Sequence, residues 1–178
     1  MRLFVAVWPP PEVIDLIADL PRPEVRGLRW AARPHWHVTI RFLGNVTEVD
    51  QVAEALSVLS GSDRASAVLG PATAWFPGRR VLQIPVAGLE DLGRRVNAAL
   101  APLDALLPAS AKPDEPFNGH LTVARVRGKG RIHSAEASKV EGKEIEAAWE
   151  VQRFSLMASS LGSEGPTYSD VSTVPLGT

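Results

Sequence analysis

Two short stretches constrain this chain most: "HVTIRFLG", residues 37–44, and "HLTVARVR", residues 120–127. Each sets a histidine and a threonine two residues apart, with apolar residues between and after them. A strand alternates its side chains with period two. His37 and Thr39 therefore share one face, and Val38 and Ile40 the other. His120 and Thr122 likewise share a face opposite Leu121 and Val123. Each strand must lie with its apolar side on a core and its polar side on a cleft or surface. The copies are 83 residues apart, close to half of the 178-residue chain, which is the spacing two similar lobes give. With seven threonines present, two such hits among four histidines arise by chance only about 1% of the time.

The remaining segments set the fold class. "RLFVAV" is a strand by its β-formers and stops at the prolines that follow. Apolar spacing at Val13, Ile14, Ile17 and Leu20 predicts a helix, with Pro11 in its first turn. "GLRWAA" predicts a further strand. Thr47 as N-cap and Asp50 three residues later predict a capped helix over "TEVDQVAEALSVL". "SAVLGPATAWF" and "RVLQIPV" predict two strands joined by a "PGR" turn. "LEDLGRRVNAALAPLDALL" predicts a helix bent or broken at Pro102, and residues 108–119 a loop. "WEVQRFSLMAS" predicts one strand and "PTYSDVSTVPL" a weaker last one. Hairpins outnumber long crossovers, so the expected class is α+β, with antiparallel or mixed sheets and helices on the outside. No low-complexity linker interrupts the chain, and residues 1–178 are expected to form a single domain.

Composition removes several functions. The formal net charge is -1, so this is no general polyanion binder, and any nucleic-acid contact is local. The absence of cysteine excludes disulfides, thiol nucleophiles and zinc–thiolate sites. The apolar run from Leu3 to Trp8 is too short for a signal-peptide core, and no stretch approaches a membrane span. A soluble, cytoplasmic protein without membrane contact is expected. His35 and His37 form an H-x-H pair, but no further cluster supports it, so no metal site is expected.

Two histidines across a cleft suit a reaction that needs an acid and a base together. Imidazole titrates near neutral pH, so one ring can be neutral while the other is charged. Opening a phosphodiester with water is such a reaction: one ring takes a proton from water and the other protonates the departing alkoxide. Hydroxyl donors and a cation then stabilise the charge on the phosphoryl oxygens. Thr39 and Thr122 are placed to donate. The residues alone leave open which histidine is acid and which is base.

The paired "HVTI" and "HLTV" resemble the two H-x-T-x motifs of the 2H phosphoesterases. The flanks "RLFVAV", "HVTIRFLGNV", "RVLQIPV", "PFNGHLTVARVR" and "FSLMASSLGSEGPTYSDV" resemble its bacterial RNA 2′,3′-cyclic phosphodiesterase branch, in order over nearly the whole chain. The resemblance implies a bilobal, pseudo-twofold fold around a central cleft. It implies hydrolysis of terminal 2′,3′-cyclic phosphates of RNA ends or small cyclic nucleotides to 2′-phosphates, without metal or nucleotide cofactor. A monomer is expected. The resemblance makes His37 the proton donor and His120 the proton acceptor, and suggests Arg125 as a phosphate ligand. Two other readings are a nucleotide-binding module without turnover, and a related enzyme acting on ADP-ribose 1″,2″-cyclic phosphate or 2′-5′ linkages.

Parity argues against two of the candidates. Arg125 and Phe42 each lie an odd number of residues from their histidine, so a regular strand sends both to the apolar face. Arg125 reaches the cleft only through a bulge or strand end. Core packing is the simpler place for Phe42, and stacking on a base is its substrate-binding alternative. Arg125, Arg127, Lys129 and Arg131 form an alternating basic run that suits either an RNA backbone or a protected edge. Arg33, His35 and Trp36 are candidates for a rim around the cleft.

Overall fold

β1 (Arg2–Val7) shows how the sheet is organised. Leu3, Val5 and Val7 enter the main core, whereas Phe4 and Ala6 form a small separate cluster with Met157. The main core is closed by three amphipathic helices. These are α1 (Pro11–Ala18) through Val13 and Ile17, α2 (Val49–Ser57) through Val52 and Leu56, and α3 (Glu90–Leu100) through Leu92, Val96 and Leu100. The face bearing Phe4 lines a cleft instead. The structure is a computed structural model that describes residues 1–111, 113, 116–128, 132–162 and 165–177.

The other elements are β2 (Leu28–Trp30), β3 (Val38–Asn45), β4 (Ala65–Leu69), β5 (Ala74–Trp75), β6 (Val81–Ala87), β7 (His120–Val126), α4 (Ser134–Ala137), β8 (Ala147–Val151), β9 (Arg153–Gly162) and β10 (Gly165–Pro175). The strands run in the order β10-β9-β1-β3-β7-β6-β4-β8, with β2 added to β7 and β5 to β6. Every ladder among them is antiparallel. The unit β1-α1-β3 recurs as β6-α3-β7. The halves also exchange strands: β4, which follows the first unit, pairs with β6, and β9, which follows the second, pairs with β1. The expected α+β class with two similar halves is therefore present; β3 meets β7 edge to edge at one residue pair, Val38↔Leu121, and β2 of the first half continues along β7 at Leu28↔Val126, Arg29↔Arg125 and Trp30↔Ala124.

Local expectations differ in three places. The single strand expected over residues 66–76 is cut at Gly70–Pro71, between β4 and β5. Pro71 has no N–H for a ladder, and the chain there runs so close to its neighbour that a side chain at Gly70 would collide with the Ile145 carbonyl. The stretch 149–159 is two strands, β8 and β9, which sit at opposite ends of the sheet order. The capping box at Thr47 is not formed, because the Thr47 hydroxyl donates to the neighbouring Glu48 carboxylate and the helix begins at Val49. As expected, α3 stops before Pro102 and passes into a 3₁₀ turn over Ala101–Leu103.

One buried charge ties the halves together. The Arg41 side chain is 2% exposed; it donates to Asp104 at 2.6 Å and to the Ala111 carbonyl at 3.3 Å, both beyond α3. Removing one partner of a buried pair leaves an uncompensated charge, whereas removing the charge and keeping its volume costs less. Asp104 is itself 54% exposed, which lowers the effect below that of a fully buried pair. Asp104→Ala is expected to destabilise by about 2 kcal/mol in urea unfolding, and Arg41→Met by less. Equal stability of Asp104→Ala and the parent protein would show that the pair carries no such role.

Candidate active site

The pair Val38↔Leu121 lies one residue after each histidine. Extending that antiparallel register by one residue on either side sets His37 across from Thr122 and Thr39 across from His120. All four residues line one cavity of about 480 Å³. Their apolar neighbours Val38, Ile40, Leu121 and Val123 are buried in the main core. The two faces read from the sequence are thus the observed ones, and two segments distant in sequence converge in one cleft.

Phe42 and Arg125 also line this cavity, against the parity of a regular strand. The β1–β3 register passes from Ala6↔Thr39 to Val5↔Arg41, so Ile40 is an extra residue in β3. The β6–β7 register passes from Gln83↔Thr122 to Leu82↔Ala124, so Val123 is an extra residue in β7. Each bulge reverses the alternation beyond it. The residue five places after each histidine therefore returns to the cleft, Phe42 in one half and Arg125 in the other. Core packing of Phe42 is thereby overturned: the residue is 36% exposed, and the Arg2 guanidinium lies 4.9 Å from its ring centre.

The two imidazoles are held differently. His120 Nδ1 lies 2.8 Å from the Asn118 carbonyl. In a neutral ring this bond puts the proton on Nδ1 and the lone pair on Nε2, the form of a general base. His37 is packed among rings, with centres 5.0 Å from Phe4, 4.7 Å from Trp8 and 5.3 Å from Tyr168. Its Nδ1 is buried without a hydrogen bond of normal geometry. Burial lowers the His37 pKa from 6.5 to about 4; the backbone of His35 opposes this, and His35, His120 and Arg125 lower it further by like charge. The cleft therefore holds a neutral His37 at pH 7. Burial also raises the Tyr168 hydroxyl above its usual range, with Arg125 and Arg2 opposing, so it remains a donor.

The cleft is cationic. Arg29 and Arg125 are partners across the β2–β7 ladder and so share a face, and Arg125 Nη2 lies 3.5 Å from Thr122 Oγ1. Arg2, Arg29 and Arg125 all line the cavity, and no carboxylate does among the described residues. Such a lining is built for an anion. Among the described residues no group of three or more His, Cys, Asp or Glu side chains is arranged to hold a metal ion.

The rim expected from residues 33–36 is only partly present. His35 lines the cavity, with its ring centre 5.2 Å from that of Tyr168. Trp36 is 1% exposed in the core, because it falls on the buried side of the turn into β3, and Arg33 is paired with Asp15 at 3.0 Å on the surface. Of the basic run, Arg125 faces the cleft, Arg127 borders a separate groove, and Lys129 and Arg131 lie outside the described residues. Arg2, Phe4, Arg29, Trp30 and Tyr168 line the cavity too, and none of them is expected from the sequence. Arg2 and Phe4 carry a usable signal, the even positions of a strand whose odd positions are apolar.

The lowered His37 pKa links stability to pH. A histidine depressed in the folded state adds stability that is complete above 6.5 and is lost as pH falls toward 4. The full loss amounts to about 3 kcal/mol. His37→Phe removes this term. The stability difference between the parent protein and His37→Phe, from urea unfolding, should shift toward the variant by roughly 2–3 kcal/mol between pH 7 and pH 4.5. A difference independent of pH would mean that His37 is not held neutral.

The family model for LigT-like phosphoesterases matches residues 7–70 and 88–168. The RNA 2′,3′-cyclic phosphodiesterase of Archaeoglobus fulgidus is 31% identical over 180 residues, covering 96% of this chain and 98% of that one. The RNA 2′,3′-cyclic phosphodiesterase of Thermus thermophilus is 29% identical over 181 residues, covering 95% of this chain and 87% of that one. A crystal structure of a Thermus thermophilus protein superposes with a TM-score of 0.79 at 26% identity, covering 98% of this chain and 97% of that one. With its paired H-x-T strands and cationic cleft, the chain belongs to the LigT-like phosphoesterase family.

Proposed function

We propose that this protein hydrolyses the terminal 2′,3′-cyclic phosphate of RNA or of a small nucleotide to a 2′-phosphate, without metal or nucleotide cofactor. The observation that carries this reading is the convergence of His37, Thr39, His120, Thr122 and Arg125 on one cavity. The two relatives are RNA 2′,3′-cyclic phosphodiesterases, which agrees with it. His120 Nε2 takes a proton from water as the water oxygen bonds to phosphorus. His37 gives a proton to the ring oxygen that departs. Thr39, Thr122 and Arg125 hold the two remaining phosphoryl oxygens and their growing charge. Every group comes from one chain, so residues 1–178 act as one bilobal unit, and a monomer suffices. RNA ends are intracellular, which makes the cytoplasm the site of action; no helix among the described residues is long and apolar enough to cross a membrane.

His37 must acquire its proton with the substrate. An anion beside an imidazole favours the charged form, and one that engages Arg125 also screens a repulsive cation. The His37 titration, followed by NMR, should therefore move upward from about 4 when a nucleoside 2′-phosphate binds. A midpoint unchanged by the product would remove the proton-donor role.

Phosphorus NMR of adenosine 2′,3′-cyclic phosphate with the protein in excess chelator tests the whole reading. The expected product is adenosine 2′-phosphate. His37→Ala and His120→Ala should each slow its formation by about 10²–10⁴-fold, the range for loss of a general acid or base, with thermal unfolding still cooperative. Bound but unchanged cyclic phosphate would establish a binding module instead, and near-parent turnover in either variant would dismantle the acid–base pair.

A further inference from the structure

A second cavity, of about 680 Å³, adjoins the cleft. Trp30 lines both, so the one runs into the other past this side chain. The proposed reaction uses only the first. The second is lined by Arg22, Arg26 and Arg127, with Glu24 and Glu136. Glu136 is already paired with Lys139, at 2.6 Å. Three guanidinium groups thus share the groove with one remaining carboxylate, and among the described residues no ion pair takes up any of the three. We propose that this groove is a second phosphate site, which holds the backbone of a single-stranded RNA tail upstream of the nucleotide in the cleft. The inference rests on the proposed hydrolysis and narrows its substrate from any cyclic nucleotide to the unpaired end of an RNA strand.

The fold sets these cations in place. Val25 is buried in the main core, and the Gly27 carbonyl accepts from the Arg127 amide at 2.7 Å. Arg26 is therefore held between two fixed residues, next to Arg127, and both side chains are exposed. Gly27 itself has a φ of 83°, the left-handed turn that glycine allows. Arg22 donates to the Ile17 carbonyl at 3.3 Å, and its guanidinium lies 4.8 Å from the Trp36 ring centre, a cation–π contact. Trp36 immediately precedes His37, so this cation is anchored to the segment that delivers the imidazole to the cleft. A 2′,3′-cyclic phosphate ends an RNA strand, and the rest of the strand leaves through the 5′ oxygen of the same sugar. One negative phosphate follows per nucleotide. A strand that leaves the cleft past Trp30 enters the groove. Trp30 is half-buried against the core, which fixes its ring, and an unpaired base stacks on such a ring. The phosphates beyond it lie among Arg22, Arg26 and Arg127. Contacts of this kind hold a strand without reading its sequence. A mononucleotide has nothing to place there, and a base-paired end has no free base for Trp30.

Adenosine 2′,3′-cyclic phosphate and the adenosine trinucleotide with the same cyclic end provide the comparison. In the parent protein kcat/KM should be higher for the trinucleotide by about 10-fold or more. Its logarithm should also fall more steeply with the logarithm of salt concentration, by about 1.4, at about 0.7 for each of the two internal phosphates held. Arg26→Gln/Arg127→Gln should bring the trinucleotide to within about 3-fold of the mononucleotide and remove the extra salt dependence, with the mononucleotide rate unchanged. Equal kcat/KM for the two substrates, or a length advantage that survives the double variant, overturns the proposal. An RNA hairpin with a blunt cyclic end should be opened about 10-fold more slowly than the same hairpin with a three-nucleotide 3′ tail, and equal rates overturn the single-stranded reading. A further measurement needs neither variant nor turnover. The trinucleotide 2′-phosphate should shift the amide NMR signals of Arg26, Gly27 and Arg127, and adenosine 2′-phosphate should not. Shifts confined to the cleft with both ligands overturn the proposal. A parent protein that opens neither substrate counts against the proposed reaction, and the amide shifts then decide the groove; one that opens both equally well counts against the groove alone.

Discussion

The site depends on one antiparallel contact, Val38 against Leu121, where the two histidine-bearing strands meet. Both residues are fully buried, and each follows a catalytic-type histidine. A slip of one residue at this seam would turn Val38 and Leu121 into the cleft and drive imidazoles and hydroxyls into the core. Each polar group so buried without a partner costs about 1–3 kcal/mol. The apolar residues of the H-x-T strands thus do more than fill space. They fix the register that holds two distant histidines around a common point.

The bulges extend this control past the motif. In both strands the extra residue comes three places after the histidine, and the residue beyond it is turned into the core. In β7 that residue is Ala124, which packs without further provision. In β3 it is Arg41, a buried cation held by Asp104 and the Ala111 carbonyl. These partners lie in the turns after α3, a helix of the second unit. The bulge that delivers Phe42 to the cleft is therefore anchored from the other half of the molecule, and the cleft is shaped jointly by both.

Much of this was legible in the sequence. Period-two alternation gave the correct faces for His37, Thr39, His120 and Thr122, because those residues precede the bulges. The same rule misplaced Phe42 and required an exception for Arg125, because alternation presumes a regular ladder. A sequence can hint at the irregularity only where two core-facing residues follow one another, as Val123 and Ala124 do. The exchange of β9 into the first half left no local mark. Residues 147–162 keep an apolar pattern across the break at Gln152, and only tertiary pairing separates β8 from β9. Tyr168, the only tyrosine, sits on β10 far from either motif, and reaches His37 because β10 pairs with β9 and β9 with β1.

The electrostatics of the cleft point toward its ligand. Charging His37 at pH 7 in the free protein costs about 4 kcal/mol, given a pKa about three units below that pH. Arg29 and Arg125 share a face of the cleft, and Arg125 lies beside Thr122. A bound phosphoryl group changes both terms in the same direction. It screens the Arg125 cation that opposes charging of His37, and it supplies the negative charge beside which an imidazolium becomes favourable. That charge grows as the P–O bond breaks, so the stabilisation is greatest in the transition state, where binding energy accelerates a reaction. In the proposed hydrolysis, a histidine kept neutral until an anion arrives would hold its proton only when there is an alkoxide to receive it.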